Sequence, residues 1–416
     1  MLRGMTAGVS GLKAYQAMMD VVGNNIANAG TAGYKASRLT FREAFSARLQ
    51  SQSSPGSGFA WTNPVQIGTG TEVGDIDPLF TQGGIEETEQ PFDLAIMGDG
   101  FFPVSSGSGL VYSRVGSFQL DSAGRRVLAG TDLALQGING PAADGPLSLT
   151  GLETLAIPLD GRSPARATAV LQLSGNLDAG TTTGGTHTIG ASVYDDQGDN
   201  HSLEITMTNT GTGTWSWSAR CDGQPVQSGS TGTVTFDAEG KCSSFTYPDG
   251  APALSVATSD GQTMQIRISA EGAEGSGGIT GLAQSSDVAV ASQDGRAAGR
   301  LVSTAIDTTG MITGLYSNGA RETLGRIPLV SFRDPAGLQS TGAGTYMESP
   351  ASGSATVIDL DAASSSAIVA GAIEGSNVDL AAEFTKMIVA QRGFQANARL
   401  VTTADEMLTQ IAQVGQ

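Results

Sequence analysis

SNVDLAAEFTKMIVAQRGFQANARLVTTADEMLTQIAQVGQ (residues 376–416) decides the fold. Steps of four and three from Leu380 give Leu380, Phe384, Met387, Gln391, Phe394, Ala398, Val401, Asp405, Leu408 and Ala412, a series interrupted only by Gln391 and Asp405. That rhythm predicts a helix lying along a partner. No proline breaks the stretch, and an unbroken helix from Asn377 to Gln413 would run about 55 Å, too long to be buried in a compact core of its own. The other end of the chain supplies a mate in the series Met5, Val9, Leu12, Gln16, Met19, Gly23 and Ile26. The two ends predict one coaxial helical bundle. Its interface is expected to be carried by Met5, Val9, Leu12, Met19 and Ile26 with Leu380, Phe384, Met387, Phe394, Val401 and Leu408.

Composition excludes several function classes. The 416 residues include 58 glycines, and only 15 % are charged, for a net charge of −18. Residues 1–50 hold Arg3, Lys13, Lys35, Arg38, Arg42 and Arg48 against Asp20 and Glu43, so they carry +4 and the remainder −22. An acidic body of this kind does not neutralise a phosphate backbone, which argues against nucleic acid. No apolar run approaches the ~20 residues of a membrane span. The first residues, Met1 to Thr6, lack the apolar core of ~7–15 residues of a cleavable signal peptide, so the chain is expected either to stay in the cytosol or to be exported by a route that ignores such signals.

Between the helices the texture is that of strands. Asn24-Asn25-Ile26-Ala27-Asn28-Ala29-Gly30 reads as a helix stop, its asparagines serving as caps and turn residues. Residues 31–75 read as an extended or irregular linker, most flexible over Ser51 to Gly58. Asp93 to Met97, the turn Gly98-Asp99-Gly100 and Phe101 to Val104 predict a hairpin. Val193 to Asp195, a turn over Asp196 to Asn200, and His201 to Met207 predict another. Trp215 to Ser218 and Thr233 to Phe236 alternate in the same way. Strands of this length separated by frequent turns fit a sandwich or barrel. The expected fold is α+β and multidomain: residues 1–30 and 375–416 form the helical part, 31–75 the linker, 76–145 and 299–374 a first β domain, and 146–298 a second β domain inserted within it.

Local patterns for catalysis fail on inspection. Gly68 to Gly74 has its last glycine one place late for a dinucleotide loop and lacks the βαβ context. Asp195, Asp196 and Asp199 lack the glycine and distal glutamate of an EF-hand and read as a turn. His187 and His201 have no Cys-x-x-Cys or His-x-x-x-His nearby, so neither a metal site nor a cofactor is expected, and no Gly-x-Ser-x-Gly elbow occurs. Cys221 and Cys242 read equally well as a disulfide or as two buried thiols.

Two longer motifs carry a resemblance. Val22 to Asn28 with Thr31-Ala32-Gly33-Tyr34-Lys35 resembles the N-terminal signature of the bacterial flagellar rod and hook family, and Gly375 to Ala381 with Met387 to Asn397 resembles its C-terminal signature. Asp99 to Val104, Tyr112 to Phe118, Gly337-Leu338 and Ser352-Gly353 also recur in that family. Val193 to Gly198, Gln293-Asp294-Gly295 and Gly299-Arg300-Leu301 are similar to the inserted domain of its hook branch. The resemblance implies a non-enzymatic subunit of a curved, hollow, flexible helical polymer that passes torque from rod to filament. Its terminal helices would form the inner tube and order on polymerisation. It implies export by the flagellar type III apparatus to an extracellular hook, and as partners further copies of the chain, the distal rod protein, the hook-capping protein and the hook–filament junction protein. The alternatives are a straight distal-rod protein, or a β-sandwich surface adhesin, which leaves the paired terminal seams unexplained.

Overall fold

Two long helices bracket the chain. The computed structural model describes residues 2–50, 65–107, 109–140, 148–158, 161–248, 252–257, 263–270, 278–360 and 364–414. Helix α1 spans Leu2–Ala27 and helix α2 spans Leu380–Val414, and the two pack against each other. Asp379 caps α2 by accepting from the backbone N–H groups of Ala381 (2.9 Å) and Ala382 (3.2 Å). At the end of α1 the side-chain amide of Asn28 donates to the Asn24 carbonyl at 2.9 Å. The chain divides into two compact units, one of Met1–Pro158, Ala305–Thr313 and Thr323–Gln416, the other of Leu159–Thr304 and Gly314–Glu322.

In the first unit the expected linker turns out to be largely β structure. Ser37–Glu43 pairs antiparallel with Thr71–Pro78, and Ser46–Gln50 with Val65–Gly68. The strands have few apolar positions, so their partner holds them in place. Phe41 packs edge-on against Tyr15 of α1 with ring centroids 5.6 Å apart, and Ser10 Oγ accepts from the Thr71 N–H at 3.2 Å. Ser51 to Gly58 lies outside the described residues.

The hairpin expected at Gly98 to Gly100 is also corrected. Leu94–Met97 pairs with Ala367–Ala370, whereas Phe102–Ser105 pairs with Leu110–Ser113. The buried Arg114 guanidinium donates to the Gly100 carbonyl at 2.8 Å and to the Gly98 carbonyl, holding the two glycines (φ +133° and +90°) in a crossing between sheets. Beyond the crossing, Phe101, Tyr112, Phe332 and Tyr346 build an aromatic cluster of edge-to-face pairs.

The second unit is a sandwich. One sheet contains Thr186–Tyr194, Asn200–Gly211, Thr214–Cys221, Thr231–Phe236 and Cys242–Thr246 in chain order, with Gln224–Pro225 paired to the third. The other is mixed, with Val170–Asn176 parallel to both Thr263–Ser269 and Ile279–Thr280. Alternation sends Ile189, Val193, Leu203, Ile205, Met207, Trp215 and Trp217 inward to meet Leu171, Leu173, Ile266 and Ile268 in one core. Each such side chain contributes roughly 1.5–3 kcal/mol on burial. Asp195 Oδ1 accepts from the N–H groups of Gln197 and Asp199, so the acidic run is a turn. Neither Cys221 nor Cys242 is in a disulfide. Cys242 pairs with Phe236 beside the Thr214 end of the third strand, whereas Cys221 ends that strand some 23 Å away at ~3.3 Å per residue, far beyond disulfide reach.

Candidate assembly interface

Small residues at regular spacing bring the two helices close. The buried and half-buried positions of α2 step through Glu383, Met387, Ala390, Phe394, Asn397, Val401, Ala404 and Leu408, a continuous four–three rhythm. On α1 the most deeply enclosed positions include Gly8, Gly11, Ala14, Val22 and Asn25. A Cβ on Gly11 would stand 2.6 Å from Asn397 Oδ1, and one on Gly8 would stand 3.1 Å from Val401 Cγ2. One on Gly393 would run into the Tyr15 ring. Glycine at all three positions therefore sets the helix separation.

Of the residues predicted from the sequence, Met387, Phe394, Val401 and Leu408 lie on this inward stripe of α2, whereas Leu380 and Phe384 do not. Met5, Leu12, Met19 and Ile26 are half-buried and Val9 is exposed. Val9, Leu12, Gly23 and Ile26 of the predicted series each stand one residue after the enclosed Gly8, Gly11, Val22 and Asn25, three of which are glycine or asparagine and give hydropathy no signal. The alternate seam positions of α2, Glu383, Ala390, Asn397 and Ala404, each precede by one residue the Phe384, Gln391, Ala398 and Asp405 of the predicted series.

At the base of the pair a buried polar cluster ties the helices to the strands. Asn25 is 1 % exposed and is no cap. Its amide donates to the Ser37 carbonyl (2.8 Å) and to Glu383 Oε2 (3.1 Å), and its Oδ1 accepts from the Ser37 N–H (2.9 Å) and the Tyr34 hydroxyl (3.1 Å). Asn377 accepts from the Ala36 N–H (2.7 Å) and donates to the Leu79 carbonyl (2.7 Å). Below them the fully enclosed Glu374 carboxylate receives Lys35 Nζ at 2.7 Å, Arg114 Nε at 2.8 Å and the Gly83 N–H at 2.8 Å. Burial pushes the Glu374 carboxyl up, but Arg114 and Lys35 outweigh it and hold the group below the usual glutamate range. Burial pulls the Lys35 ammonium down against the opposing pull of Glu374. Sequence reasoning quoted Tyr34, Lys35, Arg114 and Asn377 without a role and missed Glu374. The one available signal was a carboxylate ending the apolar run Ala372-Ile373-Glu374.

Several large apolar side chains of α2 lie uncovered. Leu380, Phe384, Ile388, Val389, Leu400, Met407 and Ile411 are between 45 and 57 % exposed. Large apolar side chains left open in such number mark a place where something else packs. No helix among the described residues is long and apolar enough to cross a membrane.

Comparison with known proteins gives consistent matches along the chain. Residues 5–35 match the flagella basal body rod protein family, and residues 369–414 match the flagellar basal body rod FlgEFG protein C-terminal family. Residues 95–162 match the flagellar hook protein FlgE/F/G D1 domain, and residues 159–296 match the flagellar basal body protein FlaE D2 domain. The chain is 33 % identical to the flagellar hook protein FlgE of Borreliella burgdorferi, with all of both chains covered, and 31 % identical to that of Treponema pallidum, with 98 % of each covered. It is 27 % identical to the flagellar basal-body rod protein FlgG of Bacillus subtilis, over 100 % of this chain and 99 % of that one. Among solved structures, the Helicobacter pylori flagellar hook protein FlgE2 shares the fold, with a TM-score of 0.53 and 14 % identity over 68 % of this chain and 98 % of that one.

Proposed function

The chain belongs to the flagellar hook protein family and is a structural subunit of the bacterial flagellar hook, and from that premise we propose that the exposed face of α2 is where neighbouring copies pack as the hook polymerises. The carrying observation is the apolar surface of Leu380, Phe384, Ile388, Val389, Leu400, Met407 and Ile411, left uncovered within one chain. In this reading Met5, Val9, Leu12, Met19 and Ile26, with Leu380, Phe384, Met387, Phe394, Val401 and Leu408, line the inner tube. Some close the helix pair and others meet the next subunit. The polymer is a curved hollow tube that bends at each revolution while passing torque from rod to filament. That task needs permanent inner contacts and sliding outer ones. The outward face of the six-stranded sheet suits sliding: Thr186, Thr188, Ser202, Thr208, Ser216, Ser218, Thr231, Thr233 and Thr246 alternate with the core residues and offer short polar side chains with little charge.

The role is mechanical and calls for no catalysis. The polymer's ends would meet the distal rod protein on one side and the hook–filament junction protein on the other. The hook-capping protein would govern growth, and the flagellar type III apparatus would export the chain to its extracellular site. The full-length likeness to a rod protein favours one second reading, a straight rod tube. Polymerising the purified chain and imaging it by electron microscopy tests both. Curved tubes are expected, and straight rigid ones would favour the rod. Phe384→Lys combined with Ile388→Lys is expected to abolish tubes while leaving the thermal unfolding of the β structure unchanged. Normal tubes from that variant would overturn the interface.

A further inference from the structure

The second unit brings a histidine together with an adjacent cysteine–aspartate pair from the neighbouring strand. His201 starts the strand Asn200–Gly211, and Cys221 ends the strand Thr214–Cys221 beside it, with Leu203 paired to Cys221. Asp222 follows with φ +50°, a conformation uncommon outside glycine, and this turns its carboxylate back over the neighbouring strand. Its Oδ1 accepts from the Ser202 N–H at 2.9 Å and its Oδ2 from His201 Nδ1 at 2.7 Å. One donor atom from each of His201, Cys221 and Asp222 falls within 4.8 Å of the others.

We propose that His201, Cys221 and Asp222 bind a zinc-class divalent cation, with Asp195 orienting the imidazole from behind. Thiolate, imidazole and carboxylate together are a donor set for zinc rather than for magnesium or calcium. The other ring nitrogen of His201, Nε2, is buried without a hydrogen-bond partner among the described residues and faces Asp195 Oδ2 at 3.5 Å. The second oxygen of Asp195 is fixed by the Gln197 and Asp199 N–H groups, so the carboxylate is held ready to receive an Nε2 proton. A metal on Nδ1 places the proton on Nε2, where Asp195 accepts it, the relay seen behind metal-bound histidines. Two carboxylates on one imidazole also leave an excess of negative charge that a divalent cation balances.

Burial pushes the Cys221 thiol up to about 11, so without a cation it keeps its proton, and binding releases that proton to solvent as the metal takes its place. Bonds of about 2.0–2.3 Å in a tetrahedral shell set donors ~3.3–3.8 Å apart, so His201 Nδ1 and Asp222 Oδ2 need to separate by roughly 0.6 Å or more. Asp222 is half-exposed and has room to move. Water takes the fourth position. The competing account is a proton in place of the metal, an imidazolium held between Asp195 and Asp222.

The test is a cobalt titration of the reduced, metal-stripped full-length monomer. Cobalt bound to a thiolate shows a sulfur-to-metal charge-transfer band. The proposal expects that band to saturate at about one equivalent and to be displaced by zinc. Cys221→Ser should remove it, and Cys242→Ser should leave it unchanged. Asp195→Asn should weaken binding by about 10- to 100-fold. A wild-type chain that retains no cobalt, or shows no charge-transfer band, overturns the site in favour of the imidazolium. A band that survives Cys221→Ser, or that Cys242→Ser removes, also overturns it. Asp222→Asn tests the carboxylate from a half-exposed position where the fold is not at stake, and binding unchanged there removes Asp222 from the set.

Discussion

The sandwich of the second unit and the helix pair of the first bury apolar side chains to opposite ends. In the sandwich, Leu171, Leu173, Val193, Leu203, Ile205, Met207 and Val234 are sealed completely, and Trp215 and Trp217 nearly so. Along the described side chains of α2 only Ala390 and Glu383 are buried, while Phe384, Ile388 and Leu400 face outward. The lesson is one of cooperativity. A core that closes on itself makes a folding unit. A helix pair closed by glycines and asparagine, with its larger apolar residues outside, is held by its strands at the base and, in the proposed assembly, would be completed by neighbouring copies.

Trp217→Ala probes the closed side of that contrast and has the largest expected effect. The Trp217 ring stacks on Phe245 and meets Tyr247 edge-on, and its indole N–H donates to the Thr246 carbonyl at 3.2 Å. Its loss should cost about 3–5 kcal/mol, seen as a lower urea midpoint for the second unit. Comparable in size is Glu374→Gln, which leaves the buried Lys35 and Arg114 without their carboxylate and should cost about 3–5 kcal/mol in the first unit. Its pH signature is distinctive. The folded Glu374 carboxyl titrates below its ordinary value of 4.5, so its stabilisation is complete above that value and is lost as pH falls through the depressed one. An acid unfolding series should show this loss in the wild type, and Glu374→Gln should lack that component.

The same contrast explains what could be read in advance. The sandwich strands were legible because Trp215, Trp217, Ile205 and Met207 alternate with Ser and Thr, and alternation survives in one dimension. The helices were legible too, and one register of the α2 seam, Met387, Phe394, Val401 and Leu408, came with them. The other register was not, because Gly11, Asn25, Glu383, Ala390 and Asn397 hold the pair through closeness and hydrogen bonds, which hydropathy does not record. Residues 37–43 and 71–75, now in strands, read as linker since α1 supplies the packing their own residues lack. The His201, Cys221 and Asp222 cluster was invisible for a third reason: strand pairing, rather than spacing along the chain, brings it together.

A glycine pair sharpens the comparison within α1 itself. At Gly23 a Cβ meets nothing within 4 Å, so Gly23→Ala should stabilise the helix by up to about 1 kcal/mol. At Gly11 the same atom meets Asn397, and Gly11→Leu should force the helices apart at a cost of about 1–3 kcal/mol. Far-UV circular dichroism during thermal unfolding should report both, with Gly11→Leu lowering the helical transition and leaving the β transition in place. Equal effects from the two substitutions would mean that α1 and α2 do not approach closely in solution.

The smallest expected effect comes from a buried group that breaks the rule of satisfied cores. Arg126 is fully buried in the first unit, yet its Nε, Nη1 and Nη2 have no hydrogen-bond partner among the described residues, and burial pulls its guanidinium down to about 10. The Phe92 ring, 5.5 Å from the guanidinium carbon, compensates by about 1 kcal/mol. Arg114 in the same unit is equally hidden, but it is satisfied by Glu374 and two carbonyls. The two arginines should therefore respond with opposite signs. Arg126→Met removes unsatisfied donors worth about 1–3 kcal/mol and keeps most of the side-chain volume, so the first unit should gain roughly 1 kcal/mol in urea unfolding. Arg114→Met leaves Glu374 with one cation instead of two and should destabilise the same transition. A loss of stability in Arg126→Met would show that its guanidinium has a partner in solution, and that the first unit is packed there as completely as the sandwich.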